Sequence, residues 1–135
     1  MIAVDTNVVV RLLTLTEDDP TQTAAAKSLF AAGSIWIAKT VLLETAWMLR
    51  SFYGFDESAI RDAFTRLLGL QNVHTEDKAS MATALALSAH GVELADAMHL
   101  TSRPPGAVFV SFDRSFVRGA SRAGATDISG VPAKE

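Results

Sequence analysis

The chain has 135 residues, of which 49% are hydrophobic and 20% are charged, with a formal net charge of −3 and no cysteine. This composition excludes a disordered or collagen-like chain, and the absence of cysteine excludes disulfides, thiolate zinc sites and cysteine nucleophiles. The length predicts a single compact domain, and the acidic balance argues against a protein that coats nucleic acid generally.

Neither a membrane anchor nor a secretion signal is expected from the sequence. No apolar run approaches the roughly 18 residues that a membrane-spanning helix needs. The opening stretch has an acid at Asp5 and no preceding Lys or Arg, unlike a signal peptide. The absence of cysteine suits a reducing compartment, so we expect a cytoplasmic protein.

The first half of the chain alternates short apolar runs with amphipathic stretches. Capping residues mark the helix starts, because their side chains can accept unpaired N–H groups, and Pro fits the first helical turn. Glycines mark the helix ends. In chain order, these signals predict a strand at 2–5, a helix from Asp19 and Pro20 to Gly33, a strand at 35–37, a helix capped by Thr40 that closes near Gly54, and a helix that Asp56 opens.

The second half continues the same alternation. Strands separated by helices predict an α/β domain with a mainly parallel sheet, and strands that are apolar throughout agree with a sheet covered on both faces. The predicted elements are a strand at 72–75, a helix at 76–90, a short helix at 94–102, a strand at 107–110, a helix at 114–123 and a strand at 125–129.

Residues 8–15 have two interpretations. The β-branched run at 8–10 favours a strand. The apolar residues at 9, 12, 13 and 15 also have helical spacing. The residues alone leave both interpretations open.

Four acidic residues fall where strands end and helices begin. Asp5 ends the first predicted strand, Glu44 lies in the first turn of the helix after the second strand, and Asp113 follows the strand at 107–110. Asp96 opens the short helix before that strand. Because an open parallel sheet binds ligands at the carboxyl ends of its strands, these carboxylates can converge. For Asp5 and Asp113, a simple helix cap is the alternative.

The surroundings of two acids favour a metal site. Glu44 and Asp96 stand among apolar neighbours, which predicts partial burial, and buried carboxylates are rarely unpaired. Carboxylates held together need a compensating cation, and oxygen ligands without cysteine suit one or two Mg²⁺ or Mn²⁺ ions. His99 follows Asp96 by one turn, but we expect it to be packed or hydrogen-bonded rather than a ligand.

In this order, these residues resemble the motifs of PIN-domain nucleases. The matching parts are the opening stretch MIAVDTNV, the spacing to Glu44, the stretch ADAMHL around Asp96 and the stretch SFDR around Asp113. The resemblance runs to about Val131. The compact length and the Asp-Ala-Met-His-Leu stretch are most similar to VapC-type toxins of bacterial type II toxin–antitoxin pairs.

The resemblance implies a three-layer α/β/α fold with a central, mainly parallel sheet of four to five strands. Residues 1–131 would form the PIN-like nuclease domain, and residues 132–135 would be a polar tail. The resemblance also favours a helix over residues 8–15.

The implied activity is metal-dependent endoribonuclease chemistry, in which water activated by Mg²⁺ or Mn²⁺ hydrolyses RNA phosphodiesters. VapC-type proteins are similar to one another in forming homodimers and in being inhibited by a small antitoxin protein. Glu93 could be a fifth acid, but we expect a solvated surface role. The resemblance implies catalytic and metal-binding roles for Asp5, Glu44, Asp96 and Asp113, and roles as polar supports for Asn7 and Ser111.

Positive charge is concentrated near the last of the four acids. Residues 1–99 carry seven basic and twelve acidic residues, whereas residues 100–124 have a net charge of +3. Arg114, Arg118 and Arg122 are spaced by four and share a helix face beside Asp113. They are candidate contacts for RNA phosphates, and a solvated helix stripe is the alternative.

Aromatic residues cluster around the predicted helix that contains Glu44. We expect Trp36 in the core. Trp47, Phe52 and Tyr53 belong either to the core or to a groove for an antitoxin helix.

Two other functions remain open at this point. The same four acids would serve a metal-dependent phosphatase or a DNA nuclease. A non-catalytic PIN-like binding module is the alternative from a different class.

Overall fold

The computed structural model describes residues 1–14 and 19–133. It divides into two compact units, Met1–Lys78 and Ala79–Glu135. The described residues form seven helices and five short strands, and every strand pairing among them is parallel. Helices separate successive strands in the order that the sequence predicts, so the α/β class with a mainly parallel sheet is confirmed.

The first unit has a three-stranded parallel sheet, whose central strand is β2 (Ile35–Trp36). Ile35 pairs with Ile2 on one side and with Val73 on the other, and both Ile35 and Val73 are fully buried. In chain order the elements are β1 (Ile2–Ala3), α1 (Thr6–Thr14), α2 (Pro20–Ala32), β2 (Ile35–Trp36), α3 (Lys39–Tyr53), α4 (Glu57–Leu68) and β3 (Val73–His74).

Residues 6–14 are helical, which decides between the two interpretations of that stretch; Leu15 lies outside the described residues. The backbone carbonyl of Asp5 accepts hydrogen bonds from the N–H groups of Val8 and Val9, so Asp5 already belongs to the start of the helix and the strand ends at Ala3 rather than at residue 5. Val9 and Val10 are buried. Tertiary packing of this apolar face outweighs the strand preference of β-branched residues.

Local caps mark three of the helix ends in this unit. Asp19 Oδ1 accepts from the Gln22 N–H at 3.0 Å, and Asp56 Oδ1 accepts from the Ala59 N–H at 2.8 Å. Gly54 ends α3 in the left-handed region with φ 68°. The cap signals at these three positions predict the helix ends correctly.

The predicted cap of α3 is wrong. The helix begins at Lys39, after Ala38, so Thr40 lies inside the first turn. The Glu76 carboxylate accepts from the Lys39 N–H at 2.7 Å. A residue 37 positions away thus binds an N–H at the start of the helix, which no local pattern reveals.

The core of the first unit is mainly aliphatic and includes two buried aromatic rings, those of Phe30 and Phe64. Burying each large apolar side chain contributes about 1.5–3 kcal/mol. Trp36 is half-buried, whereas Trp47 and Phe52 are 58% and 67% exposed, so the core interpretation is wrong for the last two. The largest fully buried side chains include those of Ile35, Ile37, Leu42, Leu49, Ile60, Phe64 and Leu67.

The second unit has a two-stranded parallel sheet that packs against a helix. Its elements are α5 (Lys78–Ala89, whose first residue belongs to the first unit), α6 (Leu94–Thr101), β4 (Phe109–Ser111), α7 (Arg114–Arg122) and β5 (Ile128–Gly130). Phe109 of β4 and Phe116 of α7 make an edge-to-face contact with ring centroids 5.9 Å apart. Such pairs stabilise a fold beyond the area that they bury.

Turns shift both strands of this unit toward the C-terminus. The Ala107 N–H donates to the Pro104 carbonyl, so β4 begins at Phe109 rather than at residue 107. Before β5, Asp127 has φ 55°, and the Arg103 guanidinium donates to the carbonyls of Thr126 and Asp127 at 2.7 and 2.6 Å. Arg103 therefore anchors the turn that leads into β5.

The longest described helix, α3, has 15 residues. No helix within residues 1–14 and 19–133 has both the length and the hydropathy needed to cross a membrane. Residues 131–133 follow β5 without regular structure, and residues 134 and 135 of the predicted tail lie outside the described residues.

Candidate functional site

In the second unit, two of the four predicted acids line one cavity. The cavity has a volume of about 210 Å³ and lies where the residues before α6 meet the first turns of α7. Asp96 and Asp113 both border this cavity. Its lining consists of Gly91, Val92, Glu93, Asp96, Asp113, Ser115, Phe116 and Gly119.

Asp96 is half-buried in the first turn of α6, as its apolar neighbours predict. Burial raises the pKa of its carboxyl group, and the negative charges of Glu93 and Asp113 raise it further. The nearby His99 opposes the shift and lowers the pKa. A partly desolvated carboxylate beside other carboxylates in a cavity is a candidate functional group.

Asp113 is both a helix cap and a member of this cavity. Its Oδ1 accepts from the Phe116 N–H at 3.0 Å, which caps α7. Its own N–H donates to Ser111 Oγ at 3.0 Å. An ionised carboxylate has about four lone-pair sites, so capping does not exclude a second role. Ser111 contacts the backbone of Asp113.

Asp5 lies between β1 and α1 in the first unit. Its Oδ1 accepts from the Thr6 N–H at 2.7 Å, and the residue is exposed. A carboxylate at this position also interacts favourably with the positive end of the helix dipole. The cap-like contact is thus present for Asp5 as well as for Asp113.

Glu44 differs from its predicted position and burial. It is the sixth residue of α3, beyond the first turn, and its side chain is exposed rather than partly buried. The buried side of α3 carries Leu42, Ala46 and Leu49, and Glu44 lies off this stripe. Apolar neighbours in the sequence are a poor guide to burial on a helix, because adjacent residues point in different directions.

Asn7 lies in the first turn of α1 and lines a separate cavity of about 430 Å³ within the first unit. The rest of this lining comes from α1 and α2 and is mainly apolar. The remaining lining residues are Val8, Arg11, Gln22, Ala25, Ala26 and Leu29.

The arginine stripe is present on α7. Arg114, Arg118 and Arg122 are all exposed on this helix. Arg122 Nε donates to the Arg118 carbonyl at 3.4 Å. Arg103 also belongs to the positive segment, but it instead binds backbone carbonyls. The exposed positive charge next to Asp113 therefore comes from one helix.

Glu93 and His99 are the charged or titratable neighbours of Asp96 on α6 and at its start. Glu93 is exposed, as expected for a surface residue, and it also borders the cavity and raises the pKa of Asp96. His99 is exposed rather than packed. The spacing of three between Glu93 and Asp96 predicts that the two side chains are close, because residues three apart are neighbours at a helix start.

The donor chemistry of the cavity fits a hard divalent cation. Glu93, Asp96 and Asp113 supply only carboxylate oxygens, the ligands that Mg²⁺ and Mn²⁺ prefer. In neither unit do the described residues bring three or more His, Cys, Asp or Glu side chains close enough to hold a metal ion. Like charges repel, so these carboxylates border the cavity without forming a closed ligand set.

Comparison with known families agrees with this chemistry. The family model of the PIN domain matches residues 2–121, a stretch that includes all four predicted acids. No curated protein matches the chain. PIN domains are generally metal-dependent nucleases that typically bind divalent metals and act on nucleic acids.

Proposed function

Because the chain belongs to the PIN domain family, we propose that it is a metal-dependent endoribonuclease and the VapC-type toxin of a type II toxin–antitoxin pair. The observation that carries the nuclease proposal is the cavity shared by Asp96 and Asp113 within the family-matched stretch. The stretch Asp-Ala-Met-His-Leu at residues 96–100 supports the narrower assignment.

The proposed catalytic and metal-binding residues are Asp5, Glu44, Asp96 and Asp113. When bound, one or two Mg²⁺ or Mn²⁺ ions supply Lewis-acid chemistry, which activates water and offsets charge on the phosphoryl oxygens. Asp96 is the best placed of the four to hold a cation, because burial and like charges already disfavour its unpaired ionised form.

Other residues of the chain position these groups and the substrate. Ser111 Oγ accepts from the Asp113 N–H, which supports its proposed role as a polar support. Asn7 is the second proposed support. The exposed arginines of α7 would bind RNA phosphates next to Asp113, since Lys and Arg contacts to phosphates supply most sequence-independent affinity. The proposed phosphate contacts are Arg114, Arg118 and Arg122.

The proposed protein partners are a cognate antitoxin and a second copy of the chain. Trp47 and Phe52 make an edge-to-face pair with centroids 5.3 Å apart, and both are largely exposed. Exposed aromatic residues are enriched at protein interfaces, which makes this pair a candidate contact for the antitoxin.

The proposal extends to organisation and location. Residues 1–131 would be the nuclease domain, with residues 132–135 as a polar tail. A chain without cysteine that acts on RNA fits the cytoplasm.

A substrate panel tests the proposed activity. Wild type, Asp96→Asn and the control Asp62→Asn, which changes an exposed acid on α4, would be incubated with RNA, DNA and a phosphomonoester. Each reaction would be run with Mg²⁺, with Mn²⁺ and with EDTA. We expect wild type and Asp62→Asn to cleave RNA internally in either metal, and we expect Asp96→Asn or EDTA to abolish cleavage.

Other outcomes would contradict the proposal. Cleavage by Asp96→Asn at the wild-type rate would contradict the assignment of Asp96 to the catalytic site. Preferential cleavage of DNA or of the phosphomonoester would contradict RNA as the substrate. Mapping transcript ends after induced expression, with Asp96→Asn as the control, would identify the RNA that is cut. Growth that is unaffected by active wild type would contradict the toxin role.

A further inference from the structure

The second unit has three phenylalanines in one short segment, and one of them is exposed. Phe109 of β4 and Phe116 of α7 contact each other edge to face. Phe112 lies between them in the sequence and is 87% exposed, the largest fraction among the exposed large hydrophobic residues that the structure describes. Single exposed apolar residues are ordinary on a protein surface, so a role for Phe112 depends on its position and its neighbours.

The backbone on both sides of Phe112 is held in place. Ser111 ends β4, where it pairs with Gly130 of β5. The Asp113 N–H donates to Ser111 Oγ at 3.0 Å, and Asp113 Oδ1 accepts from the Phe116 N–H at 3.0 Å at the start of α7. The ring therefore extends from a fixed point. Only its side-chain torsions are ordered when it binds a ligand, which lowers the entropic cost of binding.

The neighbours of Phe112 suit a nucleotide. Phe112 and Arg114 flank Asp113, which borders the cavity of the proposed nuclease site. Two Cα atoms separated by one residue are at most about 7.6 Å apart, twice the spacing of consecutive Cα atoms. The exposed ring and the exposed guanidinium group of Arg114 thus start close enough to contact the base and the phosphate of the same or adjacent nucleotides.

A contact with another protein is the other use of an exposed ring. Val110, two residues earlier on β4, is also exposed, and residues two apart share one face of a strand. The charged residues of α7, however, are all arginines, and all three are exposed. A row of positive charges complements the regularly spaced phosphates of a nucleic acid. Charge complementarity therefore favours RNA over protein as the ligand of Phe112.

We propose that the Phe112 ring stacks on a base of single-stranded RNA and so positions the strand for cleavage beside Asp113, while the arginines of α7 bind adjacent phosphates. This role rests on the ribonuclease function proposed above. Proteins that bind single strands combine aromatic stacking with positive charge. Because the bases of a duplex are already stacked on one another, the role of Phe112 also specifies an unpaired strand as the substrate.

The test measures the binding of short labelled RNAs by fluorescence anisotropy in EDTA, which prevents cleavage. The ligands are a single strand of mixed sequence, its duplex, and an abasic strand that has the same phosphates without the bases. The proteins are wild type, Phe112→Ala, Phe112→Leu, Phe112→Trp and the control Leu70→Ala, which changes an exposed apolar residue of the first unit. We expect wild type to bind the single strand more tightly than the other two ligands.

Phe112→Ala should raise the Kd for the single strand by about 10-fold and leave the Kd for the abasic strand unchanged. Phe112→Trp should bind as wild type does, because an indole ring also stacks. Phe112→Leu, which is apolar but has no ring, should resemble Phe112→Ala, and Leu70→Ala should resemble wild type. Since Phe112 is uncharged, its replacement by alanine should keep the wild-type salt dependence. Equal melting temperatures would show that Phe112→Ala is folded.

Three outcomes would overturn the stacking role. They are an equal loss of affinity for the normal and the abasic strand, recovery of binding by Phe112→Leu as well as by Phe112→Trp, and wild-type RNA binding by Phe112→Ala. A change in the oligomeric state of that last variant, measured by sedimentation, would identify the ring as a protein contact. If Phe112→Ala does not fold, the comparison of Phe112→Trp with Phe112→Leu tests the ring in its place.

The substrate panel described above decides the nuclease function separately, because it measures cleavage. If wild type cleaves RNA but Phe112→Ala binds it normally, only the stacking role is overturned. If Phe112→Ala loses base-dependent binding but wild type cleaves no RNA with either metal, the nuclease proposal is overturned and the base contact stands.

Discussion

At the scale of single residues, the burial of a charge depends on helix face more than on sequence neighbours. Glu44 and Asp96 both stand among apolar residues, yet Glu44 is exposed and Asp96 is half-buried. Glu44 lies in the middle of a long helix, off its buried stripe. Asp96 lies in the first turn of a short helix, where it borders a cavity shared with other acids.

The charge of Asp96 should lower the stability of the metal-free protein. Its pKa is raised above the ordinary value of 3.8, so the ionised form is less favourable in the folded chain than in the unfolded chain. This loss of stability is absent below the ordinary pKa and complete above the raised pKa. In EDTA at neutral pH, we expect Asp96→Asn to melt at a higher temperature than wild type by calorimetry.

The control for this prediction is Asp62→Asn, whose exposed carboxylate should leave the melting temperature unchanged. A lower melting temperature for Asp96→Asn in EDTA would mean that the carboxylate stabilises the metal-free fold, contrary to the direction of its pKa shift.

Arg103 should stabilise the second unit through the geometry of its guanidinium group. Two of its nitrogens donate to neighbouring carbonyls, a fork that lysine cannot form. We expect Arg103→Lys to reduce the free energy of unfolding by about 1 kcal/mol, measured by urea denaturation. Arg66→Lys, at an exposed position on α4, is the control, and equal urea midpoints for the two variants would contradict the prediction.

At the scale of elements, a helix end can be predicted from the sequence when a nearby residue caps it. A helix or strand end that depends on a distant residue or on a turn cannot. Asp19, Asp56 and Gly54 act on residues within a few positions, so their patterns identify helix ends. The start of α3 depends on Glu76, 37 residues away. The starts of β4 and β5 also differ from the predicted strands. Turn hydrogen bonds, such as the one from the Ala107 N–H, determine where the pairing between strands begins.

Replacement by alanine should have different effects on stability at two glycines that end helices. Gly54 has φ 68°, where an L side chain is strained, whereas Gly33 is extended and an added Cβ would meet nothing within 4 Å. We expect Gly54→Ala to lower stability by about 1 kcal/mol and Gly33→Ala to be neutral or stabilising. Urea denaturation of both variants checks this, and equal destabilisation would show that φ is not the cause.

The arginine stripe of α7 should determine part of the salt dependence of RNA binding. Each phosphate contact to a single strand contributes about −0.7 to the slope of log affinity against log salt. In EDTA, which prevents cleavage, Arg118→Ala should make that slope shallower by about this amount. Arg66→Ala is the matched control on α4, and an unchanged slope for Arg118→Ala would identify the stripe as merely solvated.

At the scale of the whole molecule, the order of elements could be predicted and the complete site could not. Alternating strands and helices determine the fold class, because each parallel pairing needs a crossover. Whether acids that are far apart in the sequence meet in the folded chain depends on the directions of their side chains, which sequence spacing does not specify. Thus Asp96 and Asp113 border one cavity and Glu93 is exposed beside it, whereas Glu44 is more exposed than its apolar neighbours predict.

Cation binding should stabilise the whole molecule by mass action. An ion that binds only the folded chain adds about 2.7 kcal/mol to the free energy of unfolding at 100 times its Kd. We expect Mn²⁺ to raise the melting temperature of wild type, and we expect EDTA to reverse the increase. Asp96→Asn should lose most of this response, and an equal increase in that variant would place the ion elsewhere.

The contact between Glu76 and the start of α3 has a consequence for synthesis. The central strand β2 gains its second neighbour from residues 73–74, and α3 gains its N-terminal acceptor from residue 76. A nascent chain therefore lacks both until this short stretch has left the ribosome. Although Glu44 is made more than 30 residues earlier, the helix that carries it gains this N-terminal hydrogen bond only after Glu76 has left the ribosome.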